Sequence, residues 1–134
     1  MLLLGAVGLV LITVEGCSHG DHPLNGTRWR LTEWTLSSLS PADFTITAAF
    51  EGGQISGRSA VNTYGGPYSL GPGNAFAVGK LAGTMMAGPE PAMRAERAYL
   101  TLLGQARSYE LGKGRLTLFD GEGNESLVFA AAGG

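Results

Sequence analysis

The chain has 134 residues, of which 15% are charged and 22 are Gly, with a formal net charge of −2. That length suits one domain rather than two, and low charge with many Gly favours a turn-rich β protein over a helical bundle. The charge balance offers no basic patch for nucleic acid and no electrostatic case for an anionic membrane surface. The single cysteine, Cys17, excludes an internal disulfide.

Leu2–Val14 is apolar apart from Gly5, Gly8 and Thr13. It is shorter than the about 20 residues of a transmembrane helix and fits a signal-peptide core. Val14-Glu15-Gly16-Cys17 then resembles a bacterial lipobox, although Glu15 and the lack of a basic residue before Leu2 depart from the pattern. We expect residues 1–16 to be a signal peptide and Cys17 to be lipidated, holding the protein in the bacterial cell envelope, facing the periplasm or outside. A plain signal peptide or a buried apolar segment are the alternatives. Residues 17–25 are expected to form a polar tether and residues 26–131 the folded domain. His19, Asp21 and His22 lie on that tether, where no fixed geometry supports a metal, so no metal site is expected.

Thr27–Trp34 alternates Trp29 and Leu31 with Arg28, Arg30 and Thr32, the period-two pattern of a half-buried strand. Thr35–Ala42 is expected to be a loop. Asp43–Glu51 places Phe44, Ile46, Ala48 and Phe50 on one face of a second strand, and Gly52-Gly53 marks a hairpin into a third at Gln54–Ser59. Asn62–Tyr68, rich in Gly and containing Pro67, is expected to be a sharp turn. Tyr68–Leu70 and Ala75–Leu81 flank Gly71-Pro72-Gly73-Asn74, another hairpin signal. Gly83–Gly88 crosses to a helix at Pro91–Ala106, whose stripe includes Met93, Leu100 and Leu103 with Ala92, Tyr99 and Leu102, and whose Arg94, Arg97 and Gln105 can face water. Ser108–Leu111, Arg115–Asp120 and Glu125–Ala131 complete a meander. The predicted fold is mainly β: a small antiparallel β-barrel or strongly curled sheet of about eight short strands with one helix packed on it.

Catalytic signatures are sparse. Gly57-Arg58-Ser59-Ala60-Val61 lacks the final Gly of a nucleophile elbow, and no His follows His22 to serve as a base. Glu51, Glu90, Glu96, Glu110 and Asp120 are spread over different elements and are expected to be solvated. Asn62, Tyr64 and Tyr68 are expected to serve turn geometry and packing, with a ligand-site lining as the alternative, and Met85, Met86 and Met93 to fill the core, with an adaptable apolar surface as the alternative. No catalytic residue and no cofactor is expected.

Two segments carry a family resemblance. Ala60-Val61-Asn62-Thr63-Tyr64-Gly65-Gly66-Pro67-Tyr68 resembles the pattern G-C-N-x-Y-x-G-x-Y, and Thr84-Met85-Met86-Ala87-Gly88 resembles T-x-M-A-C ahead of a helix. In this order they resemble the META domain family, that of the HslJ-like heat-inducible lipoproteins, over roughly Leu24 to Phe129. The resemblance implies a small β-barrel-like fold and a role in envelope stress tolerance or secretion. It implies that Gly57, Asn62, Tyr64, Gly66, Tyr68, Thr84, Met86, Ala87 and Glu96 are motif residues, expected to be structural. It also implies that Val61 and Gly88 stand where the family often has cysteines; if those pair in the family, the two positions are neighbours. The expected function is a non-catalytic binding or scaffolding module, attached to the bacterial membrane through its lipid, with an envelope protein as partner and no nucleic acid. The alternatives are a carrier of a small apolar ligand in a cavity lined by Trp29, Phe44 or Phe50, and a hydrolase using converging carboxylates.

Overall fold

The computed structural model describes residues 23–35 and 38–132. The expected signal peptide, the lipidation site Cys17, and His19, Asp21 and His22 lie outside the described residues. The strands are β1 (Thr27–Trp34), β2 (Thr47–Glu51), β3 (Gln54–Arg58), β4 (Thr63–Gly71), β5 (Ala75–Val78), β6 (Ala82–Gly83), β7 (Ser108–Gly112), β8 (Arg115–Phe119) and β9 (Glu125–Ala131), with one helix, α1 (Glu90–Gln105), between β6 and β7. Eight strands form a closed antiparallel barrel in the order β1-β2-β3-β4-β5-β7-β8-β9, and β9 returns to β1. The two-residue β6 adds outside the ring, pairing Ala82 with Gly65 and Gly83 with Tyr64. Closure matters because it removes the open edges that would otherwise recruit other chains; β6 alone is left with one.

The ring is a meander, so each connection lies at one of two ends. One end carries Gly52-Gly53, whose φ values of 61° and 79° are those a tight two-residue hairpin needs and only Gly adopts freely. The start of β1 is at this end too. Leu24 is fully buried there, the Asn25 side chain accepts from Gly52 N at 3.0 Å, and Gly26 N donates to Phe50 O. Leu24 and Asn25, expected in the tether, therefore belong to the fold. The other end carries the β3–β4 turn, the β8–β9 turn and the helix.

Inward side chains from every barrel strand join one core with Tyr99, Leu102 and Leu103 of α1. Aromatic rings pack edge to face through its middle: Phe50 lies 4.9 Å from Tyr68 and 6.3 Å from Phe76. The Trp29 and Phe50 rings are buried in this packing, so the barrel interior is filled by the protein's own side chains; both residues also line an open surface groove of about 510 Å³ beside Arg28 and Glu51.

Several expected elements shift, and the strand expected at Ala75–Leu81 ends at Val78. Asn62–Tyr68 is not a turn but most of β4, the longest strand; the chain reverses earlier, at Ala60-Val61. The second strand begins at Thr47, preceded by a short 3-10 turn at Pro41–Asp43 and an isolated bridge of Ile46 to Ser59. The helix starts at Glu90 and ends at Gln105, one residue earlier at each end than expected.

Candidate functional site

The β3–β4 turn sets the site. Ser59 N donates to Asn62 O at 2.8 Å, closing a two-residue loop in which Ala60 has φ 93°. A tight hairpin of this kind calls for positive φ at its first loop residue. The resulting backbone turns its next N–H groups the same way, into a concavity suited to an anion. The anion is supplied internally. Glu96 Oε1 accepts from Val61 N at 3.1 Å, Asn62 N at 2.8 Å and the Ser59 hydroxyl at 2.9 Å, while Oε2 accepts from Asn62 Nδ2 at 2.8 Å.

Glu96 was expected on the solvated surface and is instead 8% exposed. Burial alone pushes its carboxyl up, but the hydrogen bonds from Asn62, Ser59 and Val61 outweigh that and hold it below the usual glutamate value. The signal was present in the sequence. Glu96 precedes Tyr99 by three positions and Leu103 by seven, which places it on the buried stripe of α1.

Asn62 passes the clamp on to the segment before the helix. Its Nδ2 also donates to Met86 O at 3.1 Å, and its Oδ1 accepts from Thr84 Oγ1 and from Met86 N, both at 2.7 Å. Every donor and acceptor position of the amide is used, so the orientation is fixed: a flipped amide would set donor against donor. Thr84 Oγ1 in turn accepts from Thr63 N at 3.2 Å. Only the backbone of Met86 is engaged. Met85 is 95% exposed and Met86 56% exposed, so neither fills the core as expected; Met93 is half-buried. Ala87 is exposed.

The other motif residues hold this frame. Tyr64 donates its hydroxyl to Thr47 O at 2.7 Å, so the buried Tyr99 hydroxyl is the donor in the bond between the two tyrosines. Burial raises the pKa of both phenols. Tyr68 sits in the ring cluster. Gly57 has no room for a Cβ, which would lie 2.2 Å from Thr47 O; at Gly66 it would lie 2.5 Å from Lys80 O. Both glycines admit close backbone approach. Val61 and Gly88 touch: a Cβ on Gly88 would stand 3.6 Å from the Val61 Cβ.

Beside the clamp runs a groove of about 400 Å³, lined in part by Asn62, Tyr64, Leu81, Thr84, Met85 and Leu100. Among the described residues no three metal-ligating side chains gather. Glu51, Glu90, Glu110 and Asp120 lie on β2, α1, β7 and the β8–β9 turn, and none of them shares the Glu96 site.

The META domain model matches residues 22–133. The chain belongs to the META domain family. The META domain is not a known enzyme family. Among solved structures, a protein from Burkholderia xenovorans determined by NMR is similar at 28% identity and a TM-score of 0.68, covering 82% of this chain and 84% of that one. A second NMR structure is similar at 20% identity and a TM-score of 0.62, covering 82% and 92%. A crystal structure of a DUF4847 family protein from Bacteroides vulgatus shares the fold at 12% identity and a TM-score of 0.58, covering 80% and 93%. No curated protein gives a significant match.

Proposed function

We propose that this META domain is a non-catalytic binding module of the bacterial envelope, lipidated at Cys17, that presents the 82–86 segment to an extended stretch of another envelope protein. A role in envelope stress tolerance or secretion would be exercised through that contact. The observation that carries the reading is the pairing of a rigid backbone with a free apolar surface. Asn62 and Glu96 fix Thr84 and Met86 from behind, while the Met85 and Met86 side chains and the outer edge of β6 stay uncovered. An open strand edge binds an extended partner through main-chain hydrogen bonds, and flexible Met side chains adapt to its side chains. The groove beside it offers room for an anchor residue.

Glu96 supports the same reading from the other direction. A general acid working near neutrality needs its pKa raised, whereas this carboxylate is held ionised by donors from its own fold.

The test is site-specific photo-cross-linking in intact cells, with the reactive side chain at Met85 and, as control, at the exposed Arg94 of α1. The expected result is one discrete adduct with an envelope protein from position 85 and none from 94. Equal, diffuse labelling from both positions would reject the proposed surface.

A further inference from the structure

Net charge conceals an asymmetry. The described residues contain as many acidic as basic side chains, but the two barrel ends do not share them equally. Arg28, Arg30, Lys113 and Arg115 all cluster around the last residues of β9. Ala130 pairs with Arg30 on one side and with Arg115 on the other, which sets those two arginines two strand spacings apart, roughly 10 Å. Ala132 N donates to Arg28 O and Ala131 N to Gly114 O, each at 2.9 Å, so Arg28 and the Lys113 turn bracket the same strand end.

All four side chains are exposed, and the one ion pair among the described residues, Arg94 with Glu90, is on α1. Alanines floor the patch, so nothing bulky stands between the cations. Glu51 on β2 and Glu110 on β7 flank it on either side. Glu125 shares a surface groove with Glu110, Lys113 and Arg115. Glu33, Asp43, Asp120 and Glu122 lie toward the opposite end with the helix, as do Arg58, Arg94, Arg97 and Arg107.

The basic end is also the end where the chain enters the fold. Leu24, Asn25 and Gly26 are fastened beside Gly52 and Phe50, next to Arg28, and 22 residues precede Pro23. We infer that the Arg28–Arg30–Lys113–Arg115 face docks on an anionic lipid bilayer, its cations against headgroup phosphates, and so orients the barrel with Met85 pointing away from the membrane. This rests on the anchored reading above for its physiological setting, but the charge contact itself does not need the acyl chain. A single lipid-anchored tether would otherwise leave the barrel free to tumble; several cations near an anionic surface add attraction in the range that selects one orientation.

The experiment uses the full chain with Cys17→Ser, which cannot be acylated, and the same chain with Arg28, Arg30, Lys113 and Arg115 each changed to Ser. Binding is measured by co-sedimentation with vesicles of phosphatidylcholine alone or with about one-third phosphatidylglycerol. Any insertion by residues 1–16 is common to both chains and both vesicles. The expected result is tighter binding to the anionic vesicles, weakened about fivefold for each cation removed, and lost as salt rises from low to about 1 M. Circular dichroism and thermal melts confirm that the substituted chain is folded. Equal binding of both chains, or of both vesicle types, would overturn the inference, as would equally tight binding to a short DNA duplex. Acylation of Cys17 is scored separately by mass spectrometry of the membrane fraction, so a failed anchor and a failed docking face give different results.

Discussion

Val61 and Gly88 are packed against each other, with the Val61 Cγ2 2.9 Å from where a Gly88 Cβ would be. They stand at the two positions where the family resemblance places frequent cysteines, and the Val61 side chain fills the space beside Gly88. The Cβ separation of 3.6 Å falls within the range of a disulfide. Val61→Cys with Gly88→Cys is expected to oxidise spontaneously and to stabilise the fold by about 3 kcal/mol, judged from the loop it closes. Gly88→Ala alone is expected to destabilise, and to be tolerated once Val61→Ala makes room. Thermal melts under oxidising and reducing conditions check both.

Ala60 has a φ of 93°, a conformation glycine adopts freely, at the position where the family resemblance places a glycine. A side chain there carries strain of about 1–3 kcal/mol, partly offset by the lower entropy of an unfolded Ala relative to Gly. Ala60→Gly is expected to stabilise by about 1 kcal/mol in chemical denaturation, and Ala60→Val to destabilise.

Glu96 makes stability depend on pH in a defined direction. Its folded pKa lies below the ordinary 4.5, so its contribution is complete above that value and is lost as pH falls through the folded one. Glu96→Gln keeps the shape but turns an NH₂ toward donors. At pH 7 it is expected to destabilise by about 1–3 kcal/mol for the donor left unpaired. The gap between mutant and parent is expected to narrow below pH 4.5. Denaturation midpoints across that range measure it.

The helix gives a contrast within one element. Leu103 is fully buried and Arg94 is exposed, its ion pair with Glu90 stretched to 4.0 Å. Leu103→Ala is expected to cost about 2–5 kcal/mol and Arg94→Ala to fall within about 0.5 kcal/mol of zero. Similar losses at both positions would mean that α1 packs on a different face.

The repetitive parts of the fold were legible in the sequence. Period two in Thr27–Trp34 gave β1 with both bounds, and Gly52-Gly53 gave its hairpin, because local chemistry determines these features. β4 was not legible. Gly65, Gly66 and Pro67 signal a turn locally, yet Gly66 is there to admit Lys80 and Leu81 from a distant segment. Long-range approach leaves no local trace beyond the glycine itself. The site was half legible. Motif likeness marked Asn62, Thr84, Met86 and Glu96, but the prior that acids face water obscured a carboxylate whose partners are backbone N–H groups. Backbone donors have no sequence signature, so the clamp appears only once the turn is folded.

Direct titration of the Glu96 side-chain carboxyl by carbon-detected NMR tests the central claim, that this carboxylate is a structural counter-charge and not a catalytic group. The expected result is a pKa below 4.5. A pKa raised toward about 6–7, as a general acid requires, would contradict it.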